Sequence, residues 1–308
     1  MQKEKILIGV CTYNRPKMLE ECLTSLAKQD IPPNTEITFC IADNNSDSKH
    51  NIESITKQTL NQLSYKYLFV QARGISFARN AILECAIETN SDFIIFIDDD
   101  EYADANWVQN LHNKIKNSDA DVVQGKVINI LPENTPPLIK QAWVTEHEED
   151  TPLKHVATNN VIFNKKLINE WNLRFREELA LTGGEDLDFF LRAKNHGSKL
   201  IYTNTAIVRE TVPQERATLL WQLKRKKQDG FAISYVTYLN YGKFRVFRKY
   251  IVKSIKNLIT APFYVCFGIL RANEKLRFKG LQKIFHAFGC LSFAFKAQLK
   301  SYKTTTGS

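Results

Sequence analysis

Two hydrophobic rhythms alternate along the first 118 residues. Short apolar runs at 5–11 (KILIGVC), 36–42 (EITFCIA), 65–70 (YKYLFV) and 93–98 (FIIFID) have the length and β-rich content of buried strands. Between them the apolar positions recur every three or four residues. Met18, Leu19, Cys22, Leu23 and Leu26 mark one helix, and a polar helix is expected over about 48–63. Ile75, Ala78, Ile82, Cys85 and Ala86 share a face of a helix over 75–88. The order β-α-β-α-β-α-β predicts a Rossmann-like, mostly parallel central sheet with helices on both faces.

Beyond residue 118 the rhythm changes. Strands are expected at 121–130 (DVVQGKVINI), 155–164 (HVATNNVIFN) and 199–203 (KLIYT). A Pro-rich loop surrounds Pro132, Pro136 and Pro137, and a helix is expected from Glu185 to about His196. From about Gln214 the chain is expected to be helical. Its last part, 241–308, carries two apolar stretches with basic flanks, NLITAPFYVCFGIL and IFHAFGCLSFAF. Each is shorter than the ~20 residues that cross a bilayer. They suit helices lying in a membrane interface; plain packing on the main body is the other reading.

Charge enters the picture at one strand end. The run FIIFID leads straight into Asp98, Asp99 and Asp100. Adjacent carboxylates repel and resist desolvation, so they need either water or a cation. In an open α/β sheet, ligands bind beyond the carboxyl ends of the strands. The other strand ends carry polar groups too: Thr12, Asn14 and Arg15 after the first, Asp43 after the second. An oxygen-rich cluster of this kind suits Mg²⁺ or Mn²⁺ bridging a phosphate-bearing ligand. An acidic turn capping the following helix is the simpler reading of the three aspartates alone. Neither GxxxxGK[ST] nor GxGxxG after the first strand is present, so a nucleotide would be held by its base, its ribose and a metal.

Composition narrows the classes. Apolar residues make up 44% and charged residues 24%, which excludes a disordered chain. The net charge of +9 is concentrated late, because between Lys224 and Lys303 the acids are Asp229 and Glu274. Phe, Leu and Ile interleave with those lysines, which favours a lipid surface over nucleic acid. Six cysteines show no CxxC pair and sit mostly in apolar runs, as reduced, buried thiols of a cytosolic protein would. The start, MQKEKILIGVC, has an apolar run too short for a secretion signal.

Motifs in order now point to a family. TYNRP (12–16), DNNSDS (43–48), GISFARN (74–80), DDD (98–100), TNN (158–160) and GGEDLDFFLRA (183–193) resemble the succession found in family 2 glycosyltransferases of the GT-A fold. The resemblance covers roughly residues 5–230. It implies a nucleotide-binding half over 1–118, an acceptor-binding half over 119–240 and a basic helical extension over 241–308. Thr12, Asn14, Arg15 and Asp43 would line the nucleobase pocket, with Arg79 and Asn80 against base and phosphates. Asp98 would meet the ribose, Asp100 would hold a divalent cation (Mn²⁺ or Mg²⁺), and Asp99 would orient donor sugar or metal. Asp186 would be the catalytic base, with Glu185 beside it and Gly184 allowing close approach. Asn159, Asn160 and Trp143 are candidates for donor-sugar or acceptor contacts. The implied activity is inverting transfer from a nucleoside-diphosphate sugar, UDP-linked, to a glycan or lipid-linked glycan at the inner face of a membrane.

The sequence departs from the family in one place. Many relatives carry His in a VxHxxP pattern where this chain has VRETVP, so Glu210 either ligates the metal or pairs with Arg209. QxxRW, the mark of processive synthases, is absent, which favours transfer of a single sugar. A phosphatase with an aspartate nucleophile after the first strand is disfavoured, because that strand ends VCTYN. A non-catalytic nucleotide-sugar or lipid-binding protein would not need Asp186.

Overall fold

A computed structural model describes residues 3–294, apart from 45, 46, 48 and 145. Among the described residues one eight-stranded sheet has the order β3-β2-β1-β4-β7-β6-β8-β5. Its first strands are β1 (Glu4–Thr12), β2 (Thr35–Asp43), β3 (Tyr65–Phe69) and β4 (Phe93–Asp98), all parallel. The far side holds β5 (Glu101–Ala103), β6 (Val122–Ile130), β7 (Val161–Asn164) and β8 (Leu200–Thr211). There β7 runs antiparallel to β4 and β6, β5 runs antiparallel to β8, and β6 is parallel to β8 with a bulge between Gln124 and Lys126. The connecting helices are α1 (Pro16–Leu26), α2 (Lys49–Thr59), α3 (Ile75–Glu88), α4 (Trp107–Lys116), α5 (Pro137–Ala142), α6 (Lys166–Asn169) and α7 (Glu185–Asn195).

Alternation along the strands explains the layers. Ile6, Ile8 and Val10 face one side, against Leu19 and Leu23 of α1 and Trp107 and Leu111 of α4. Leu7 and its neighbours Ile94 and Phe96 face the other, against Ile82 and Leu83 of α3 and Phe189 and Phe190 of α7. Fully burying one Leu or Phe contributes about 1.5–3 kcal/mol, so these two clusters fix the sheet that carries the strand ends.

The helical end of the chain is α8 (Leu219–Val246), a π-helical turn (Phe247–Ile251), α9 (Val252–Leu270) and α10 (Glu274–Ala294). Gly242, at φ 78°, breaks the helix near the end of α8. The two apolar stretches of the tail behave differently. Along α10, Ala287 and Cys290 are buried, whereas Phe263, Ile269 and Leu270 of α9 are exposed. The final part of the expected tail, 295–308, lies outside the described residues.

Several elements differ from the sequence expectation. The strand expected over 155–164 is ordered as strand only from Val161, because Asn160 adopts φ +82° and its amide joins two other strands. The strand expected over 199–203 continues to Thr211. The Pro-rich loop contains α5, with Pro137 at its first turn, where the missing N–H costs nothing. The short β5 and the helix α4 had no expectation at all.

Candidate active site

The register sets the site. Thr12 pairs with Asp43 across β1 and β2, and Cys11 pairs with Asp98 across β1 and β4. The ends of three adjacent parallel strands therefore open onto one crevice, where strand order reverses. A cavity there is lined by Thr12, Tyr13, Arg15, Asn44, Arg73 and Leu181, among others.

The three aspartates point to different partners. Asp99 is 5% exposed and accepts from Thr12 Oγ1 at 2.8 Å and from Arg15 Nη1 at 3.1 Å. Burial pushes its carboxyl up to about 7, with Arg15 pulling it down. Asp100 accepts from the same Arg15 nitrogen at 3.1 Å and lies 3.6 Å from Arg216 Nη1. Burial opposes the Arg15 charge, yet Asp99 and Asp100 outweigh it and hold its proton more firmly. Asp98 is the most open of the three and lies 3.9 Å from Arg79 Nη2.

Arg79 connects the crevice to α7. Its guanidinium is buried, lies over the Phe175 ring and forms an ion pair with Glu185 Oε1. Among the described residues Glu185 Oε2 is buried without a hydrogen-bond partner. Burial raises the Glu185 carboxyl above its ordinary value, against the pull of Arg79. Asp186 follows at the start of α7, where Oδ1 accepts from the Leu187 N–H at 2.6 Å. Its neighbour Glu185 pairs with Arg79, which lies 3.9 Å from Asp98, so the start of α7 stands beside the end of β4. Gly184, at φ +89°, makes this placement possible: a Cβ there would stand 3.1 Å from that of Ala232 on α8.

Other sequence candidates stand at the edges. Asp43 is fully buried and accepts from the Tyr67 hydroxyl at 2.9 Å. Asn14 bonds Asp47, tying the loop after β1 to the loop after β2. Asn80 is turned to the backbone of Phe175, donating to its carbonyl and accepting from its N–H. Asn160 donates to the carbonyls of Lys126 and Ala206 and accepts from Trp107 Nε1. Asn159 donates to Glu101 Oε1, whose other oxygen accepts from the Asp98 N–H. Trp143 stacks on Trp221 at 5.2 Å and packs with Ile139, Leu223 and Phe278, and its carbonyl accepts from Asn129 near the carboxyl end of β6.

Glu210 and Asp100 test the fit of a cation. One nitrogen of Arg216 reaches Glu210 Oε1 at 3.1 Å and Asp100 Oδ2 at 3.6 Å, so a positive charge already bridges these carboxylates. Burial, and then the Asp100 charge, push Glu210 up to about 7. Arg209, the alternative partner of Glu210, instead makes two bonds to Asp104. Two hard oxygen donors match Mg²⁺ or Mn²⁺ when substrate phosphates complete the shell. Among the described residues no ready-made group of three such ligands occurs.

Sequence reasoning passed over several of these residues. Arg216 sits in QER, a stretch with no periodic signal. Glu101 follows the three aspartates, yet it is 2% exposed and secures the turn by accepting from the Asp98 N–H. Asn44 donates to Ala72 O and accepts from the Gly74 N–H, and Arg73 lies 4.7 Å from the Tyr13 ring centroid. These contacts join residues about thirty or sixty positions apart, which no local pattern reveals.

A mixed sheet with this crevice, flanked by helices and followed by a helical region, is the architecture of GT-A glycosyltransferases. The family model for glycosyl transferase family 2 matches residues 7–176, and the chain belongs to that family and is a glycosyltransferase. The succinoglycan biosynthesis protein ExoM of Rhizobium meliloti (strain 1021) is 30% identical over 233 residues, 72% of each chain. A poly(ribitol-phosphate) beta-glucosyltransferase of Bacillus spizizenii is 23% identical over 197 residues, 64% of this chain and 30% of that one. Two solved structures share the fold. S. aureus TarS 1-349 in complex with UDP has a TM-score of 0.54 at 19% identity, covering 95% of this chain and 92% of that one. The mannosyltransferase PcManGT from Pyrobaculum calidifontis, in complex with GDP-Man and Mn²⁺, has a TM-score of 0.65 at 15% identity, covering 96% and 88%.

Proposed function

We propose that this glycosyltransferase moves one sugar, with inversion, from a UDP-linked donor to a hydroxyl of a glycan or lipid-linked glycan in surface polysaccharide assembly. The observation that carries the reading is Arg79, which lies 3.9 Å from Asp98 at the end of β4 and pairs with Glu185, the residue before Asp186, at the start of α7. The names of the relatives support the substrate class: one serves succinoglycan biosynthesis, and the solved TarS binds UDP.

Each residue then has a task. Asp43, Asn44 and the loop at Arg73 grip the base, with Thr12, Asn14 and Arg15 forming the floor. Asp98 takes the ribose. Asp100 and Glu210 hold a divalent cation, which when bound neutralises charge gathering on the departing diphosphate. Arg15 and Arg216, now paired with these carboxylates, sit where they add positive charge on the same side. Asp186 accepts the acceptor hydroxyl proton as the new C–O bond forms and the bond to the diphosphate breaks. Glu185 is locked by Arg79 and orients the start of α7. Residues 1–118 serve the nucleotide and 119–240 the acceptor.

A thermal-shift panel of nucleoside diphosphates and their sugars, with Mn²⁺ or EDTA, tests this. Stabilisation by uridine ligands that needs Mn²⁺ and is lost in Asp100→Ala is the expected result. Equal stabilisation in EDTA would remove the metal from the reading, and no response to any nucleotide would remove the donor site.

A further inference from the structure

We propose that the helix Lys243–Leu270 is a docking surface for an anionic lipid bilayer and lies flat in the headgroup layer. Its orientation is inverted relative to an ordinary surface helix. The side of α9 that faces α10 is small: Ser254, Ala261 and Gly268 are buried at seven-residue spacing. A Cβ on Gly280 of α10 would stand 2.7 Å from Val265 Cγ2 and 3.0 Å from Ala261 O, so the two helices meet nearly backbone to backbone. The large apolar side chains point the other way. Phe244, Phe247, Val252, Ile255, Ile259, Phe263, Phe267 and Leu270 are exposed, from 50% at Ile255 to 80% at Leu270.

These residues form one stripe. Steps of three or four keep a helical face in line, and the single step of five, from Phe247 to Val252, spans the π-helical turn. A π turn absorbs one extra residue per turn, so the stripe does not rotate away. The 28 residues correspond to about 40 Å of helix. A contiguous apolar strip of this length on a soluble surface calls for a partner.

Charge selects the partner. Lys243, Arg245, Arg248, Lys249, Lys253 and Lys256 are exposed along the same helix, and no acid occurs between Asp229 and Glu274. A second copy would bring like charge against like charge. An anionic headgroup layer instead offers phosphate to the basic residues and acyl chain to the stripe. The helix lies on the bilayer rather than through it, since no helix among the described residues is long and apolar enough to cross one. The placement also suits transfer to a membrane-held acceptor. Val236 of α8 stands beside Gly184, and Phe244 follows eight residues later, just past the break at Gly242. The docking itself does not depend on how the crevice is read.

Sedimentation of the full chain with vesicles tests the proposal. Phosphatidylcholine vesicles containing about 30% phosphatidylglycerol should pellet the protein, pure phosphatidylcholine should not, and added salt should weaken the binding. Ile259→Asp with Phe263→Asp should weaken vesicle binding at least ~tenfold, since two apolar anchors become charged. Both sites are exposed, so the thermal unfolding of the variant should match the wild type. Phe263→Trp should give a blue-shifted emission on vesicles that brominated lipid quenches. Failure of the wild type to pellet, or equal pelleting of the double variant, would overturn the proposal. So would a dimer, seen by light scattering without lipid, that the double variant dissolves. The assay reads lipid binding and not sugar transfer, so its failure leaves the transferase reading standing.

Discussion

The Arg79–Glu185 pair shows how much rests on single charges. Both partners are buried, so removing one leaves the other uncompensated. Arg79→Met should destabilise the chain by about 3–5 kcal/mol, and adding Glu185→Gln should recover part of the loss in a double-mutant thermal-unfolding cycle. Asp99 and Glu210 give a pH effect of definite sign. Both hold protons up to about pH 7 when folded. An unfolded carboxyl releases its proton near pH ~4, so the metal-free chain loses stability as pH rises from ~4 through ~7. Unfolding in EDTA at pH 5 and pH 8 should show a fall in Tm that is smaller in Glu210→Gln. Residues of this kind were partly legible: acids at strand ends announce a site, but which guanidinium meets which carboxylate depends on distant chain segments.

At the scale of elements, the first four strands and α3 and α7 follow their hydrophobic period closely, because each is long or flanked by clear turns. The segment before β7 does not. Asn160 ties three elements through its amide, and that demand overrides the strand-like pattern of 155–160. Asn160→Ala should leave Trp107 Nε1 and two carbonyls without partners, at ~1–3 kcal/mol for each buried orphan, measurable by denaturant unfolding. Gly184→Ala places a Cβ at positive φ against α8. It should slow turnover more than it weakens donor binding, because it displaces the start of α7 rather than the strand ends. The helical tail was legible as apolar and basic. Which face it would hide was not, since that follows from small residues meeting glycines on a neighbouring helix.

For the molecule as a whole, the crevice belongs to both halves of one continuous sheet, so neither half alone supplies the acids and the start of α7. The thiols report on that integrity. Cys22, Cys40, Cys85 and Cys290 are buried, and burial pushes Cys11 up to about 12, whereas Cys266 is exposed on α9. Brief iodoacetamide treatment at pH 8 should therefore label Cys266 alone in the native chain, read by peptide mass spectrometry. The central claim is that Asp186 removes the acceptor proton in a crevice that binds the donor by other groups. Donor affinity and donor turnover, measured side by side in Asp186→Asn and wild type with Mn²⁺, test it most directly. The prediction is donor binding within about twofold of wild type and turnover reduced by at least ~10²–10³, the share a positioned base supplies. Near-wild-type turnover in Asp186→Asn would contradict the account.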